Sequence, residues 1–139
     1  MSAEVIATLR LMGEEGFRGK KYLDPRGFET IGYGCNLDAG ILEPEARALL
    51  AAQVATRSEA LRAFRGYQGL DEVRASVLLD LAFNLGVNGL LGFSRMLNAV
   101  ASGDWRTAHD ELLASKAATQ LPARYGTLAQ LLLTGNTDA

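Results

Sequence analysis

The chain is poor in the residues that build disulfides and metal sites. Its 139 residues include one cysteine, Cys35, and one histidine, His109. A lone cysteine excludes an internal disulfide, and we therefore expect a reducing compartment. Because neither residue has a cluster of other metal-binding side chains near it in the sequence, we predict no metal site and no cofactor. Cys35 also has no evident base partner, so we do not expect it to be a nucleophile.

Long apolar runs are also missing. The most apolar run, from Val77 to Phe93, is interrupted by Asp80, Asn84 and Asn88, so we predict no membrane insertion. The first six residues show no basic segment followed by an apolar stretch, and we expect no secretory signal. Synthesis in the cytoplasm is the corresponding expectation.

Strong charge of one sign is absent as well. The net charge is −2, which argues against a general nucleic-acid-binding protein. One segment is locally basic, since Arg18, Lys20, Lys21 and Arg26 are opposed there by Asp24 alone. Two interpretations stay open: a solvated strand face, or a patch that attracts polyanions.

What remains is the composition of a single globular domain over residues 1–139, with 48% hydrophobic and 22% charged residues. Apolar spacing predicts a helix over 3–14, a long helix over about 43–64, and a helix over 72–85 that is apolar on nearly all sides and therefore buried. Glycine-rich segments at 65–69 and 86–92 predict breaks between helices. Further helices are predicted over 94–101, 105–115 and 122–134. The predicted class is α+β, mostly helical, with one small sheet near the N-terminus.

The stretch from Glu15 to Gly34 contains the densest chemistry. Asp24-Pro25-Arg26-Gly27 has the residue order of a type I turn. The residues after it alternate with the period of a strand, and we predict strand–turn–strand over about 20–34. Glu15 lies at the end of the first helix, before Gly16. Glu14 points about 100° away around that helix, so we expect only one of the two acids to face a cleft.

Two carboxylates and a hydroxyl in one cleft fit glycosidic bond hydrolysis. Glu15 is the candidate proton donor, because the negative end of the helix dipole favours its protonated form. Asp24 is the candidate ionised carboxylate, and Thr30 could hold a water molecule. The distance between the carboxylates separates inversion from retention, and the spacing along the chain leaves both open.

Glycines flank Tyr33 on both sides. Gly32 and Gly34 within a strand indicate either tight local packing or a close approach of the backbone to substrate. Both interpretations stay open, and we include Gly34 among the candidate substrate-binding residues.

The motifs resemble those of the phage T4-type lysozymes, the glycoside hydrolase family 24 endolysins. The resemblance covers nearly the whole chain, and these motifs carry it: Glu15-Gly16, Tyr22-Leu23-Asp24, Gly27, Thr30-Ile31-Gly32-Tyr33-Gly34, Leu70-Asp71-x-Val73-Arg74, Ala82-Phe83-Asn84-Leu85-Gly86, Gly92-Phe93-Ser94, Trp105 and Pro122-x-Arg124. The resemblance implies a lysozyme-like fold. It comprises a sheet lobe over about 13–42, a linking helix over about 43–64, and a helical lobe over about 70–139 that includes the helix 3–14.

The resemblance also implies a function. The family hydrolyses the β-1,4 bond between N-acetylmuramic acid and N-acetylglucosamine in peptidoglycan, with inversion. Glu15 matches its general acid, Asp24 its second carboxylate and Thr30 its water-placing residue. Phe83 and Asn84 match cleft-lining positions, and Arg124 an arginine that reaches toward the catalytic glutamate. Implied with these roles are a monomer that acts on the cell wall and, for a phage lysin, a holin-type export route.

Alternative functions stay open at this point. Glu111 and Met96 stand where the family's type member has an amide and a hydroxyl that contact sugar, and Ala117 replaces an aromatic residue beside the cleft. A lysozyme-fold binding or scaffold protein without activity is therefore one alternative. An enzyme acting on a chitin-type polymer and a bacterial muramidase effector are the others.

Overall fold

The computed structural model describes residues 1–137, which divide into two compact units, one from Met1 to Ala48 and one from Leu49 onward. Positions 138 and 139, which the predicted helical lobe includes, lie outside the described residues. The first unit contains α1 (Ala3–Glu15), β1 (Arg18–Leu23), β2 (Glu29–Gly32), β3 (Cys35–Asn36) and the start of α2 (Glu43–Leu61). The second contains the rest of α2 and α3 (Arg65–Gln68), α4 (Glu72–Leu85), α5 (Val87–Leu91), α6 (Ser94–Ser102), α7 (Trp105–Leu113), α8 (Lys116–Gln120) and α9 (Pro122–Thr134). This α+β composition confirms the predicted class.

Helix α1 has clear signals at both ends. The hydroxyl of Ser2 accepts a hydrogen bond from the Val5 amide at 3.2 Å, which satisfies one of the free N–H groups of the first turn. Gly16 follows the last helical residue with φ = +70°, a conformation that glycine adopts without strain. The predicted helix is confirmed, and Glu15 is its final residue.

The sheet is antiparallel, with the strand order β1-β2-β3. At the connection between β1 and β2, the Gly27 amide donates to the Asp24 carbonyl at 2.9 Å, which closes the predicted turn. Tyr22 pairs with Thr30, and Thr30 pairs with Asn36, so Thr30 lies on the central strand. The third strand was not predicted, because two residues are too short to show a period.

The core of the second unit surrounds α4. Val77, Leu78, Leu81 and Ala82 are fully buried, as the apolar pattern predicts. Phe83 differs, because 41% of its surface is exposed. Residues two positions apart in a helix lie about 200° apart around its axis. Phe83 therefore points away from the face on which Leu81 is buried. The prediction that this helix is buried, because it is apolar on nearly all sides, is therefore wrong at Phe83.

Short helices occupy segments where the sequence predicted breaks. Residues 65–68 form α3 and residues 87–91 form α5, although both contain glycine. One or two turns suffice when the termini are closed by tight bonds, such as that from the Tyr67 amide to the Phe64 carbonyl at 3.0 Å. Helix α8 was missed altogether. Its signal was Ser115, whose hydroxyl accepts from the Ala118 amide at 3.2 Å.

Arg74 joins three helices of the second unit. Its Nε and Nη2 donate to the carbonyls of Leu132 and Leu133 at 2.7 and 2.8 Å, near the C-terminal end of α9. Its Nη1 donates to Asp71, the N-cap of α4. The guanidinium lies 3.9 Å from the ring centroid of Trp105 on α7. A side chain only 13% exposed thus connects the start of α4 with two later helices.

None of the helices in residues 1–137 is both long and apolar enough to cross a membrane.

Candidate functional site

The first unit contains a concavity of about 360 Å³, here called the hairpin concavity. Its lining residues come from the end of α1, from the β1–β2 hairpin, from Gly34 before β3 and from β3 itself. They are Glu14, Glu15, Arg18, Tyr22, Asp24, Pro25, Arg26, Thr30, Gly34 and Asn36. Glu15, Asp24, Thr30 and Gly34, which the sequence predicted to form a site, are therefore brought together.

Asp24 is held by the backbone of its own turn. Its Oδ1 accepts hydrogen bonds from the amides of Arg26 and Phe28, both at 2.9 Å. Its Oδ2 receives no hydrogen bond from residues 1–137. The carboxylate is therefore oriented through one oxygen and offers the other as an acceptor.

Thr30 is almost completely buried, with 3% of its surface exposed. Its hydroxyl donates to the Phe28 carbonyl at 2.9 Å. The single hydroxyl proton is thereby used, and the oxygen retains a lone pair that can only accept. Thr30 and Asp24 both line the hairpin concavity, and each retains an oxygen lone pair that can accept a hydrogen bond.

Gly34 lies directly against the carboxyl group of Glu15. A Cβ atom added to Gly34 would lie 2.6 Å from Oε2 of Glu15, and the residue has φ = +74°. The backbone conformation favours glycine here, and a side chain at this position would have to displace the Glu15 carboxyl group. The close approach that the sequence indicated is thus made to the Glu15 side chain. A substrate contact at Gly34 stays a prediction.

The expectation for the neighbouring acid is wrong. Glu14 and Glu15 both line the hairpin concavity. The step of about 100° separates their Cβ directions, but glutamate side chains are long and the concavity lies at the end of the helix.

Arg18 and Arg26 also line the hairpin concavity. The Arg18 guanidinium lies 4.7 Å from the Tyr22 ring centroid. The Arg26 guanidinium lies 5.4 Å from the Phe28 ring centroid.

The sequence missed Asn36 as a lining residue. Its Oδ1 accepts from the Asp38 and Ala39 amides at 2.9 and 3.3 Å. The Asn-x-Asp order was the available signal, because asparagine favours such turns.

The other candidate residues lie in the second unit. Asn84 accepts a hydrogen bond from the Tyr125 hydroxyl through Oδ1, so its Nδ2 is left to donate elsewhere. Burial raises the pKa of Tyr125, which keeps the phenol protonated as the donor. Arg124 binds Oδ1 of Asp80 through Nε at 3.2 Å and Nη2 at 2.6 Å. A contact of Arg124 with the catalytic glutamate stays a prediction, and Asp80 is a partner that sequence reasoning missed.

A second and larger concavity, here called the helical concavity, measures about 750 Å³ in the second unit. Its lining residues are Leu85, Gly92, Phe93, Ser94, Arg95, Met96, Glu111, Ala114, Ser115, Lys116, Ala117 and Gln120. They include Met96, Glu111 and Ala117, for which the sequence indicated differences from the type member of the family that it resembles. Because this concavity contains a single carboxylate, acid–base chemistry is better supported in the smaller hairpin concavity.

No group of three or more His, Cys, Asp or Glu side chains within residues 1–137 is arranged to hold a metal ion. His109 forms a pair with Asp110, with Nδ1 at 2.8 Å from Oδ1. A single neighbouring carboxylate does not make a metal site.

Comparison with known proteins finds a matching protein family and individual relatives. The model of the phage lysozyme family matches residues 12–125. A relative, the pre-baseplate central spike protein Gp5 of Enterobacteria phage T4, is 25% identical over 93% of this chain and 28% of its own length. A probable T4-type lysozyme 1 of Dictyostelium discoideum is 24% identical over 80% of this chain and 70% of its own length. The chain thus spans little more than a quarter of the spike protein that it matches.

Proposed function

The chain belongs to the phage lysozyme family, and on that premise we propose that it is a muramidase. Its substrate is the β-1,4 bond between N-acetylmuramic acid and N-acetylglucosamine of peptidoglycan. The observation that carries the proposal is the hairpin concavity, in which Glu15, Asp24 and Thr30 converge. Two carboxylates flanking one bond are the usual requirement for glycoside hydrolysis.

Glu15 is the proposed general acid. It is the last residue of α1, and it lines the hairpin concavity. The close backbone of Gly34 limits the positions open to its Oε2. A proton donor held in one place can protonate the leaving oxygen without first being ordered.

Asp24 and Thr30 are proposed to place the attacking water. Oδ2 of Asp24 can accept a hydrogen bond, while Oδ1 already accepts from the backbone of the turn. The hydroxyl oxygen of Thr30 can also accept, because its proton is donated to the Phe28 carbonyl. A water molecule that donates one proton to each would keep a lone pair directed away from both. That lone pair is the nucleophile, and Asp24 accepts the proton as the bond forms. This arrangement favours inversion.

Residues of the second unit are proposed to hold the glycan. Phe83 offers a partly exposed ring on which a sugar can stack. Asn84 offers Nδ2, because Tyr125 fixes its Oδ1. The Asp80 pair holds the Arg124 guanidinium in one orientation, so that its other N–H groups can serve substrate.

Purified peptidoglycan is the direct test of the activity. We expect the native chain to release reducing ends, with α-configured products at the start of the reaction as read by NMR. Initial β-products would show retention and would contradict the water placement. Absence of new reducing ends, with muropeptide binding retained, would favour the binding or scaffold alternative.

Gly34→Ala tests whether Glu15 must be confined. We expect about a hundredfold loss of the turnover rate, because the new methyl group displaces the carboxyl group. The matched control is Gly40→Ala, since Gly40 has φ = +73° and nothing within 4 Å of an added Cβ. Both variants carry the same backbone strain, so a comparable loss in stability is expected from each. Equal activities of the two variants would contradict a positioning role for Gly34.

We propose an endolysin as the biological role, in which the enzyme lyses a host from within after passage through a holin-type pore. Family membership supports this role. A bacterial effector uses the same chemistry. The match to the spike protein of phage T4 suggests a second setting for this chemistry. That match covers 93% of this chain but only 28% of the spike protein, so a chain of this kind can also be one part of a much longer phage protein.

A further inference from the structure

The first unit contains four aromatic residues, and two of them are covered by arginines. Tyr22 and Phe28 each lie under a guanidinium group. Among the described residues, no cation lies over the other two, Phe17 and Tyr33. These two rings contact each other instead, with centroids 5.6 Å apart and planes inclined at 50°. They are here called the aromatic pair.

The aromatic pair is largely open to solvent. Phe17 is 67% exposed and Tyr33 is 47% exposed, and neither belongs to the buried core. Large aromatic side chains gain free energy when they leave water, and adjoining apolar side chains on a surface often mark a place that a ligand covers.

The backbone around the aromatic pair is constrained. The Phe17 ring lies beside Gly19, where an added Cβ would be 3.5 Å from its Cζ. Tyr33 stands between Gly32 and Gly34, whose φ angles are +69° and +74°, and glycine adopts this conformation without strain. Because the rings are attached to a defined turn and strand, a ligand that stacks on them orders few further groups.

The aromatic pair adjoins the proposed reaction centre along the chain. Phe17 follows Glu15 by two residues, and Tyr33 precedes Gly34, which lies against the Glu15 carboxyl group. Neither ring lines the hairpin concavity, which measures only about 360 Å³. That volume is near the lower end for small-molecule pockets, so a polymeric glycan extends beyond it onto the neighbouring surface.

We propose that the aromatic pair binds a pyranose ring of the glycan strand outside the hairpin concavity. The C–H face of the sugar stacks on one ring, and the other ring, inclined at 50°, contacts its edge. The inference rests on the proposed function, because that function supplies the glycan.

Other occupants fit the aromatic pair less well. Two side chains cover far less than the roughly 800 Å² that each partner buries in a stable protein interface. An anionic lipid surface is bound through cations beside the apolar groups, whereas Arg18 and Arg26 lie over other rings. A sugar ring matches both the size and the lack of charge of the pair.

A sugar held outside the hairpin concavity makes the same contact before and during bond cleavage. Such a contact lowers KM for the polymer and leaves kcat unchanged. Phe17 and Tyr33 are therefore substrate-binding residues without a part in the chemical step.

The test is titration of a soluble glycan strand, freed of its peptides, into the chain that carries Glu15→Gln. We expect Phe17→Leu and Tyr33→Ala each to weaken binding about tenfold, and Phe17→Tyr to retain it. NMR provides a signature of stacking, because the ring current shifts the signals of the overlying sugar C–H groups upfield. Phe17→Leu should remove these shifts.

Leu23→Ala is the matched control, because Leu23 is 66% exposed and has no ring. It should leave the affinity for the glycan unchanged. Full affinity in both Phe17→Leu and Tyr33→Ala would overturn the proposal, as would binding without upfield shifts. The same holds if these variants lose only dimerisation or binding to phosphatidylglycerol vesicles.

The two proposals fail in different ways. If Phe17→Leu weakens glycan binding but the native chain releases no reducing ends from peptidoglycan, the muramidase assignment fails and the aromatic pair stands as a binding site. If the native chain hydrolyses peptidoglycan and Phe17→Leu changes neither KM nor binding, the aromatic pair fails alone.

Discussion

Glu15→Gln should reduce the release of reducing ends from peptidoglycan by about two to four orders of magnitude. The amide keeps the shape of the side chain and the packing against Gly34 but has no acidic proton. General acid catalysis typically contributes about 10²–10⁴-fold to an enzymatic rate. Circular dichroism should show an unchanged fold.

Glu14→Gln is the natural control for Glu15→Gln. Both acids belong to the last turn of α1 and line the same concavity. We expect Glu14→Gln to retain most of the activity, because Gly34 packs against Glu15. The reverse result would transfer the acid role to Glu14. Permeabilised bacteria that contain either variant extend the test to the endolysin role, since only the Glu14 variant should lyse them.

Arg74→Met should lower the free energy of unfolding of the second unit by about 2–4 kcal/mol. The substitution keeps much of the apolar contact but removes the donors to the Leu132 and Leu133 carbonyls. It also removes the ion pair to Asp71 and the charge over Trp105. The carbonyls at the end of α9 would be left to water or to no partner.

Urea denaturation measures the loss in the Arg74 variant. Far-ultraviolet circular dichroism reports the helices, and Trp105, the one tryptophan of the sequence, reports the site itself. Arg62→Met is a suitable control, because the side chains of Arg62 and its partner Glu59 are both solvent-exposed. Such surface ion pairs contribute about 0–1 kcal/mol. Equal midpoints for the two variants would show that Arg74 is not the connection that its contacts indicate.

The sequence by itself determined the helix ends and turns, which depend on residues close together in the chain. Helix α1 ends at Glu15 because Gly16 follows it, and the hairpin turns at Asp24 because Pro25 and Gly27 fit the positions after it. Asp71 caps α4 for the same local reason. These signals involve residues close together along the chain, so the order of the residues carries them in full. The acid at the end of α1 and the hairpin with its own acid and threonine could therefore be predicted from the sequence.

Tertiary structure decided what depends on residues far apart in the chain. No spacing indicates that Arg124 pairs with Asp80, or that Tyr125 orients Asn84, because each partner lies more than one helix away. The same holds for Arg74 at the end of α9 and for Arg57 over Phe83. The short helices α3, α5 and α8 form in this packed environment, although their own few residues have too little periodicity to predict them. Local chemistry thus placed the acids, whereas packing selected the partners that hold the remaining side chains.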